Sequence, residues 1–512
     1  MQHDSTIRVL LERGEAGRPA LLAPGREALT FGGLRELADR TVERLGALGI
    51  GRGDRVAIVL PNGPEMAAAF LSVACAAATA PLNPTYRETE FDFYLGDLRA
   101  RALIVAEDAD SPAIAVARRH GARILRLSVP RGAPAGWFEL AAEEGRAAKP
   151  EAAGPAGAED VALVLHTSGT TSRPKIVPLL HRNLAASAGH IGTTLRLSPE
   201  DRCLNIMPLF HIHGLVAAVL SSLAAGGSVF LTPGFNALRL FGWIAEAGPS
   251  WITAVPTMYQ AILGRAARQG EAIAEAGLRF LRSSSASLPP QVMAELERIF
   301  ACPVIESYGM TEAAHQMTSN PLPPASRKPG SVGREAGPLV RILDEEGRFR
   351  NPGEEGEIVI SGPNVTPGYE NNPEANAEAF FRAEGRRWFR TGDQGRFDAE
   401  GYLFLTGRLK EMINRGGEKI APIEVDTVLM DHPAVQQVVT FAVPHPKLGE
   451  EVAAAVVLRE GAEVDERELR AFVAERLADF KVPRRILFLS DIPKGPTGKL
   501  QRIGLAARLG LA

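Results

Sequence analysis

Residues 166 to 175 read HTSGTTSRPK, with three threonines, two serines, a glycine and two cations in ten positions. Two readings of such a run are open. It is either a polar surface loop or a cradle in which backbone amides, hydroxyls and Lys175 surround an anion. A Walker A loop is excluded, because that pattern needs glycine where Pro174 sits and a hydroxyl residue where Ile176 sits. The apolar run VALVLHT enters the segment, so its hydroxyls follow a strand.

Four further clusters carry chemistry of related kinds. YGMTE (308–312) offers Tyr308 as a flat face for a base, Thr311 as a donor to a phosphate oxygen, and Glu312 as a ligand for a hard cation. The plainer alternative is a helix cap. RTGDQGRF places Asp393 in a glycine turn, where a carboxylate accepts two sugar hydroxyls or serves as an ordinary turn aspartate. GRLKEMINRGGEKI is a basic joint rich in glycine. PKGPTGKLQR carries Lys499 on a loop near the C-terminus, where a lone lysine is ordinarily a solvated charge.

These residues need a scaffold, and the pattern predicts one. RVAIVLP, ARALIVAE and ARILRL read as short apolar strands. The segments between them read as helices, including SPAIAVARRHG and the alanine-rich MAAAFLSVACAAATAPL behind Pro64. This alternation predicts a mainly parallel sheet covered by helices. AAEEGRAAKPEAAGPAGAED reads as a flexible connection between subdomains. VALVLHT, GSVFLT, SWITAVP and PVIESYG continue the strands, and HRNLAASAGHIGTTL and PPQVMAELERIF the helices. From about residue 330, LVRILDEEG, EGEIVISG and GRFDAEGYLFLTG predict hairpins. The last hundred residues predict a compact α+β unit containing the helices PIEVDTVLMDH and DERELRAFVAERLADF. The predicted fold is therefore α/β. It has a large N-terminal region of several subdomains (1–408), with mainly parallel sheets and a β-rich part, and a small mobile C-terminal domain (409–512).

The bulk properties agree with a globular protein. Hydrophobic residues are 45% and charged residues 23% of 512, which argues against disorder, and a net charge of −3 without a basic run gives no footprint for nucleic acid. Cys75, Cys203 and Cys302 lie far apart in apolar stretches and read as buried thiols of a reducing compartment. The alanine-rich run ends at a proline and reads as a buried helix, not a membrane span of ~20 residues. With no signal peptide or S-K-L-type address, the expected location is the cytoplasm. Oligomeric state is not legible.

The motifs TSGTTSRPK, PLFHIHG, SYGMTE, TGD, GRLKEMI and GPTGKLQR also occur in a fixed order. Over essentially its whole length the chain resembles the acyl-adenylate-forming superfamily, which includes acyl-CoA synthetases, luciferases and peptide-synthetase adenylation domains. The resemblance implies ATP, Mg²⁺ and CoA. A carboxylate attacks the α-phosphate of ATP, giving acyl-AMP and pyrophosphate, and a thiol then displaces AMP. By matching position it implies that Thr167, Ser168, Gly169, Thr170, Thr171 and Lys175 line the phosphate loop. Tyr308, Gly309 and Met310 would adjoin adenine, with Tyr308 stacked on it. Thr311 would contact phosphate, and Glu312, with Thr170, would hold Mg²⁺. Asp393 and Arg408 would bind ribose, and Lys499 would bridge carboxylate and α-phosphate. Lys410 would be the hinge on which the small domain turns, with His211, Gly416 and Gly417 on the CoA path.

The chain also departs from the superfamily pattern. Ser172 and Ile176 replace two loop glycines, SSSASLPP (283–290) replaces a Gly-Gly-Ala-Pro stretch, and His213 stands where many relatives carry an aromatic. If Ser284, Ser285, His213 and His315 line the acyl pocket, a fatty tail would strand their donors, whereas a small diacid would satisfy them. A histidine protonated beside an anion suits that task. The combination resembles oxalyl-CoA synthetases most, which implies oxalate as the acid. Alternatives are malonate or another short acid, a carrier protein in place of CoA, or a non-catalytic binding relative. A His-x-His zinc site at 211 and 213 lacks a third ligand.

Overall fold

The computed structural model describes residues 5–143, 150, 152–167, 174–266, 269–495 and 499–511. Ser168, Gly169, Thr170 and Thr171 lie outside these residues. Four sheets organise the chain. In the first, seven strands run in the order Glu139–Ala142, Arg123–Ser128, Ala102–Ala106, Arg55–Val59, Ala78–Pro81, Val161–Thr167, Lys175–Leu180. Its five inner strands are parallel, and an antiparallel strand closes each edge.

The second sheet has nine strands. Its parallel body runs from Val304–Met310 through Phe280–Ser283, Trp251–Ala254, Arg202–Asn205 and Ser228–Leu231 to Pro19–Leu22. The body strands Trp251–Ala254 and Phe280–Ser283 are buried at every residue, as expected of parallel strands covered on both faces. The third sheet is antiparallel, with five strands between Leu339 and Arg408. The fourth lies between Ile413 and Phe488. Its antiparallel strands Val435–His445 and Gly449–Leu458 are packed by the helices Pro422–Met430 and Glu466–Ala474.

Most elements fall where periodicity places them, but three differ. The run from Met66 to Leu82 is not one helix. The helix Pro64–Ala74, with Pro64 in its first turn and all residues but Glu65 buried, gives way to the strand Ala78–Pro81. Alanine suits either state, and pairing with Arg55–Val59 decides the second half. The stretch read as a connection between subdomains joins two strands of the same sheet. Where described it is pinned, since Arg52 N–H donates to the Ala152 carbonyl (2.9 Å) and Ala156 N–H to that of Cys75 (2.8 Å). Finally, His213–Leu220 forms a π-helical segment that the pattern did not announce, a geometry that recurs at functional sites.

Cys75, Cys203 and Cys302 are buried and free, and burial raises the thiol pKa of Cys75 and of Cys302 to about 12. Such thiols are inert at neutral pH. Among the described residues no helix is long and apolar enough to cross a membrane.

Candidate active site

The C-terminal ends of the parallel strands meet the antiparallel sheet at one place, and the motif residues gather there. Val161–Thr167 and Lys175–Leu180 form a hairpin, with Thr167 and Lys175 directly opposite at the mouth of the hydroxyl-rich loop. Lys175 Nζ lies 4.4 Å from the centre of the Tyr369 ring. Tyr369 in turn donates its hydroxyl proton to Oε1 of Glu312 at 2.9 Å. Glu312 sits on the single turn Thr311–Ala313 that follows the strand Val304–Met310. Burial raises its carboxyl pKa, and the positive charges of Arg408 and Lys175 work against the rise.

Gly309 is required by a close approach. A Cβ there would stand 1.9 Å from the carbonyl oxygen of His315, across the tight antiparallel pair that Val304–Met310 makes with His315–Ser319.

Asp393 faces Arg408 across the hairpin of Arg386–Phe397 and Leu403–Arg408, as the DAEG turn between them dictates. Arg408 Nε donates to Asp393 Oδ1 at 2.7 Å, and the Tyr308 hydroxyl donates to Oδ2 at 2.5 Å. Asp393 is thus a 5% exposed acceptor held from two sides.

Lys499 reaches this cluster from the C-terminal region. Its loop is closed by Gly495 N–H donating to the Lys499 carbonyl (2.8 Å) and by a bridge between Lys494 and Leu500. The region rests on the large one through Gln260 Nε2 donating to the Gln436 carbonyl (3.2 Å) and through a Gln291–Asp431 hydrogen bond. Burial, then the charge of Arg408, lowers the Lys499 pKa to about 8, while Asp393 opposes the fall. The same ammonium acts electrostatically on His211, His213 and His315. Its charge is thus felt by the histidines, as it feels those of Asp393 and Arg408. Lys410, exposed, lies on the turn Leu409–Glu411 between the third and fourth sheets. Gly416 and Gly417, with φ of 60° and 100°, make the two-residue turn joining Ile413–Arg415 to Glu418–Ile420.

The histidines form a second, drier compartment. His213 Nδ1 is 3.0 Å from Ser285 Oγ and its Nε2 is 2.6 Å from Thr253 Oγ1. Its ring centre lies 5.0 Å from that of His315. Ser284 donates to the Ser307 carbonyl at 3.0 Å, so its proton is already used between strands. Ser285 and His315 both have positive φ, 74° and 103°. Non-glycine residues are held this way only where the surroundings over-determine them, and such strain clusters at functional sites.

The protonated histidines expected from sequence are not what this compartment favours. Burial and then the Arg282 guanidinium push His213 and His315 well below the ordinary imidazole range, so both are neutral. His211 is lowered to about 3 by burial and Lys499. Among the described residues no group of three His, Cys, Asp or Glu is placed to hold a metal, so His211 and His213 gain no third ligand.

Glu306 lies buried on the same strand as Tyr308, opposite Ser283. Its Oε1 accepts from Leu288 N–H at 2.9 Å and its Oε2 is buried without a partner. Burial raises its pKa to about 8. A carboxyl pKa higher in the folded than in the unfolded chain stabilises fully below the unfolded value, and that contribution is lost as pH rises through about 8. Glu306→Gln keeps the acceptor without the titration. Between pH 5 and pH 8.5 the melting temperature of the variant is expected to fall by roughly 2–4 °C less than that of the parent. Parallel curves in differential scanning fluorimetry would reject the buried neutral carboxyl.

Three contributors were missed in the sequence. Thr253 had no signal beyond its strand. Tyr369 was a lone aromatic in a Gly/Pro/Asn-rich stretch. Arg282 did have a signal, a charge directly after the apolar pair Phe280–Leu281 in a strand-like stretch.

Comparison with known proteins places the arrangement. Residues 11–370 match the family model of the AMP-binding enzyme, and residues 424–499 that of the AMP-binding enzyme C-terminal domain. The chain is 45% identical to an oxalate–CoA ligase of Arabidopsis thaliana, over 95% of this chain and 94% of that one. It is 42% identical to an oxalate–CoA ligase of Saccharomyces cerevisiae, over 88% and 86%. ATP-bound MatB from Rhodopseudomonas palustris superposes with a TM-score of 0.85 at 30% identity, covering 97% of both chains.

Proposed function

The chain belongs to the AMP-binding enzyme family, and on that premise we propose that it is an ATP-dependent oxalate–CoA ligase. One carboxylate of oxalate attacks the α-phosphorus of ATP and expels pyrophosphate. The thiolate sulfur of CoA then attacks the acyl carbon of oxalyl-AMP, AMP leaves, and oxalyl-CoA remains. The observation that carries the choice of acid is the second compartment. His213 lies 3.0 Å from Ser285 and its ring centre 5.0 Å from that of His315. His315 Nε2 and two nitrogens of the buried Arg282 guanidinium have no partner among the described residues, donors that an alkyl chain would leave unsatisfied.

In the first step an anion approaches a polyanion, so fixed cations and donors lower the barrier by being in place beforehand. Lys499, whose charge acts on both Arg408 and the histidines, neutralises the meeting point of carboxylate and α-phosphate. Asp393 and Arg408 seat the ribose, and Tyr308, its hydroxyl tied to Asp393, presents its ring to the adenine. Lys175 and the loop behind it hold the outer phosphates. Magnesium fits at Glu312. That carboxylate is buried, its pKa is raised, and among the described residues it has no ion-pair partner, so a bound cation would offset its cost. The metal would supply charge neutralisation to the phosphates. For the second step, residues 409–512 turn about Lys410 as one unit, withdrawing Lys499 and opening a path for the thiol past His211 and the Gly416–Gly417 turn.

The test is pyrophosphate release with ATP and CoA across oxalate, malonate, acetate and a medium-chain acid, repeated without CoA in the presence of a carrier protein. Oxalate is expected to lead malonate by at least ~10-fold in kcat/KM and acetate by more. Preference for a medium-chain acid, or turnover only with the carrier protein, overturns the reading.

A further inference from the structure

Arg282 is 0% exposed, in the middle of the parallel body of the nine-stranded sheet. A guanidinium there ordinarily has a carboxylate partner. Among the described residues Arg282 has none, and its Nε and one terminal nitrogen (Nη1) have no hydrogen-bond partner at all. The other terminal nitrogen, Nη2, is anchored. It donates to Gln316 Oε1 at 3.2 Å, and Gln316 is itself fixed because its amide protons go to Thr194 Oγ1 (3.1 Å) and the Ala336 carbonyl (3.0 Å). The same nitrogen lies 3.5 Å from His315 Nδ1.

The hydrogen-bond logic fixes a tautomer. Arginine only donates, so Nδ1 of His315 is the acceptor and the ring proton sits on Nε2. That Nε2 is also buried without a partner. Two donor nitrogens of the guanidinium and one of the imidazole are thus unsatisfied in adjacent buried side chains, and among the described residues no carboxylate pairs with them. Leaving them so is costly by ordinary desolvation, and an anionic ligand removes that cost. The backbone at His315, at φ 103°, is held in a strained conformation that sets where this donor points.

We propose that Arg282 is the specificity-determining residue of the acyl compartment, the fixed countercharge for the substrate carboxylate that is not adenylated. It is also the positioning residue that holds His315 with its Nε2 proton toward that carboxylate. The inference rests on the reading of the substrate as a small diacid. It deepens that reading by assigning the recognition of the second negative charge to a residue beneath the pocket wall, where the sequence reading had assigned recognition to the histidines and serines alone.

The probe is oxamate, which has the size and planarity of oxalate but replaces one carboxylate with a neutral carboxamide. The unmodified enzyme is expected to favour oxalate over oxamate by roughly 100-fold in kcat/KM, the scale for removing one partner of a buried charge pair. In Arg282→Met, an apolar replacement that a buried site tolerates, the preference is expected to collapse toward unity. The cause would be a higher KM for oxalate, with KM for ATP unchanged within about twofold. Arg282→Lys, which restores the charge but not the fork, is expected to recover part of the preference. Full oxalate preference in Arg282→Met overturns the proposal, as does an unmodified enzyme that accepts oxamate as well as oxalate. The second result is read on the parent protein and decides the matter even if neither variant folds. If the parent turns over malonate and not oxalate, the assignment of the acid fails while the role of Arg282 is tested with malonate against malonamate. If it prefers a monoacid, both fall.

Discussion

Lys499→Ala is expected to reduce adenylate formation by at least ~10²–10³, while thioester formation from preformed acyl-AMP stays within a few-fold of the parent. In the proposed mechanism the ammonium neutralises the meeting point of two reacting anions, and burial lowers its pKa to about 8. Charge stabilisation of that kind has no substitute in water once the lid is seated. In the second step the attacked group is already a mixed anhydride, and the lysine has turned away. The measurement is pyrophosphate release set against CoA consumption with synthetic acyl-AMP, and equal loss of both half-reactions contradicts the assignment. A pH profile adds an independent check. Burial and Arg408 lower the pKa, so the charged form is lost as pH rises through about 8, and kcat/KM for adenylation should fall above that point. Lys499→Arg keeps its charge at every pH and should lose this limb even where its rate is lower.

Asp393→Asn is expected to raise KM for ATP by roughly 10² and to erase discrimination at the ribose. In the parent, Asp393 holds Arg408 and Tyr308 at 2.7 and 2.5 Å, and each of its oxygens keeps a further lone pair for a sugar hydroxyl. Losing a carboxylate that accepts charge-assisted bonds costs about 1.5–3 kcal/mol per bond. The amide keeps its one oxygen for Arg408 only by turning its NH2 to the Tyr308 hydroxyl, so one of the two acceptors is lost. Arg408 is half-exposed, so solvent limits the loss of stability, and the larger effect falls on nucleotide binding. A cycle with 2′-deoxy-ATP separates the two. The parent should prefer ATP by about tenfold or more, and the variant should treat both nucleotides nearly alike. If the preference is equal in both proteins, Asp393 only braces Arg408 and does not touch the sugar.

The sequence alone determined what short-range chemistry determines. Apolar runs of four to seven residues set the strands, Pro64 and Pro290 set helix starts, and DAEG set the hairpin that puts Asp393 opposite Arg408. The ordered motifs pointed to the family for the same reason, since each is a local stretch legible within a few positions. Tertiary structure decided what depends on neighbours distant in the chain. Pairing turned Ala78–Pro81 from helix to strand, and the sheet order made a presumed linker internal to one sheet. It brought Lys499 within reach of histidines almost 300 residues earlier, and Tyr369 onto Glu312. It also decided which side chains near His213 and His315 carry charge before any anion binds. From sequence, histidine is the natural cation for a diacid. In the fold, burial keeps the histidines neutral, and the charge resides on Arg282, anchored through Gln316. Ionisation is a property of the dielectric and the neighbouring charges around a group, and neither is written in the residues beside it in the chain.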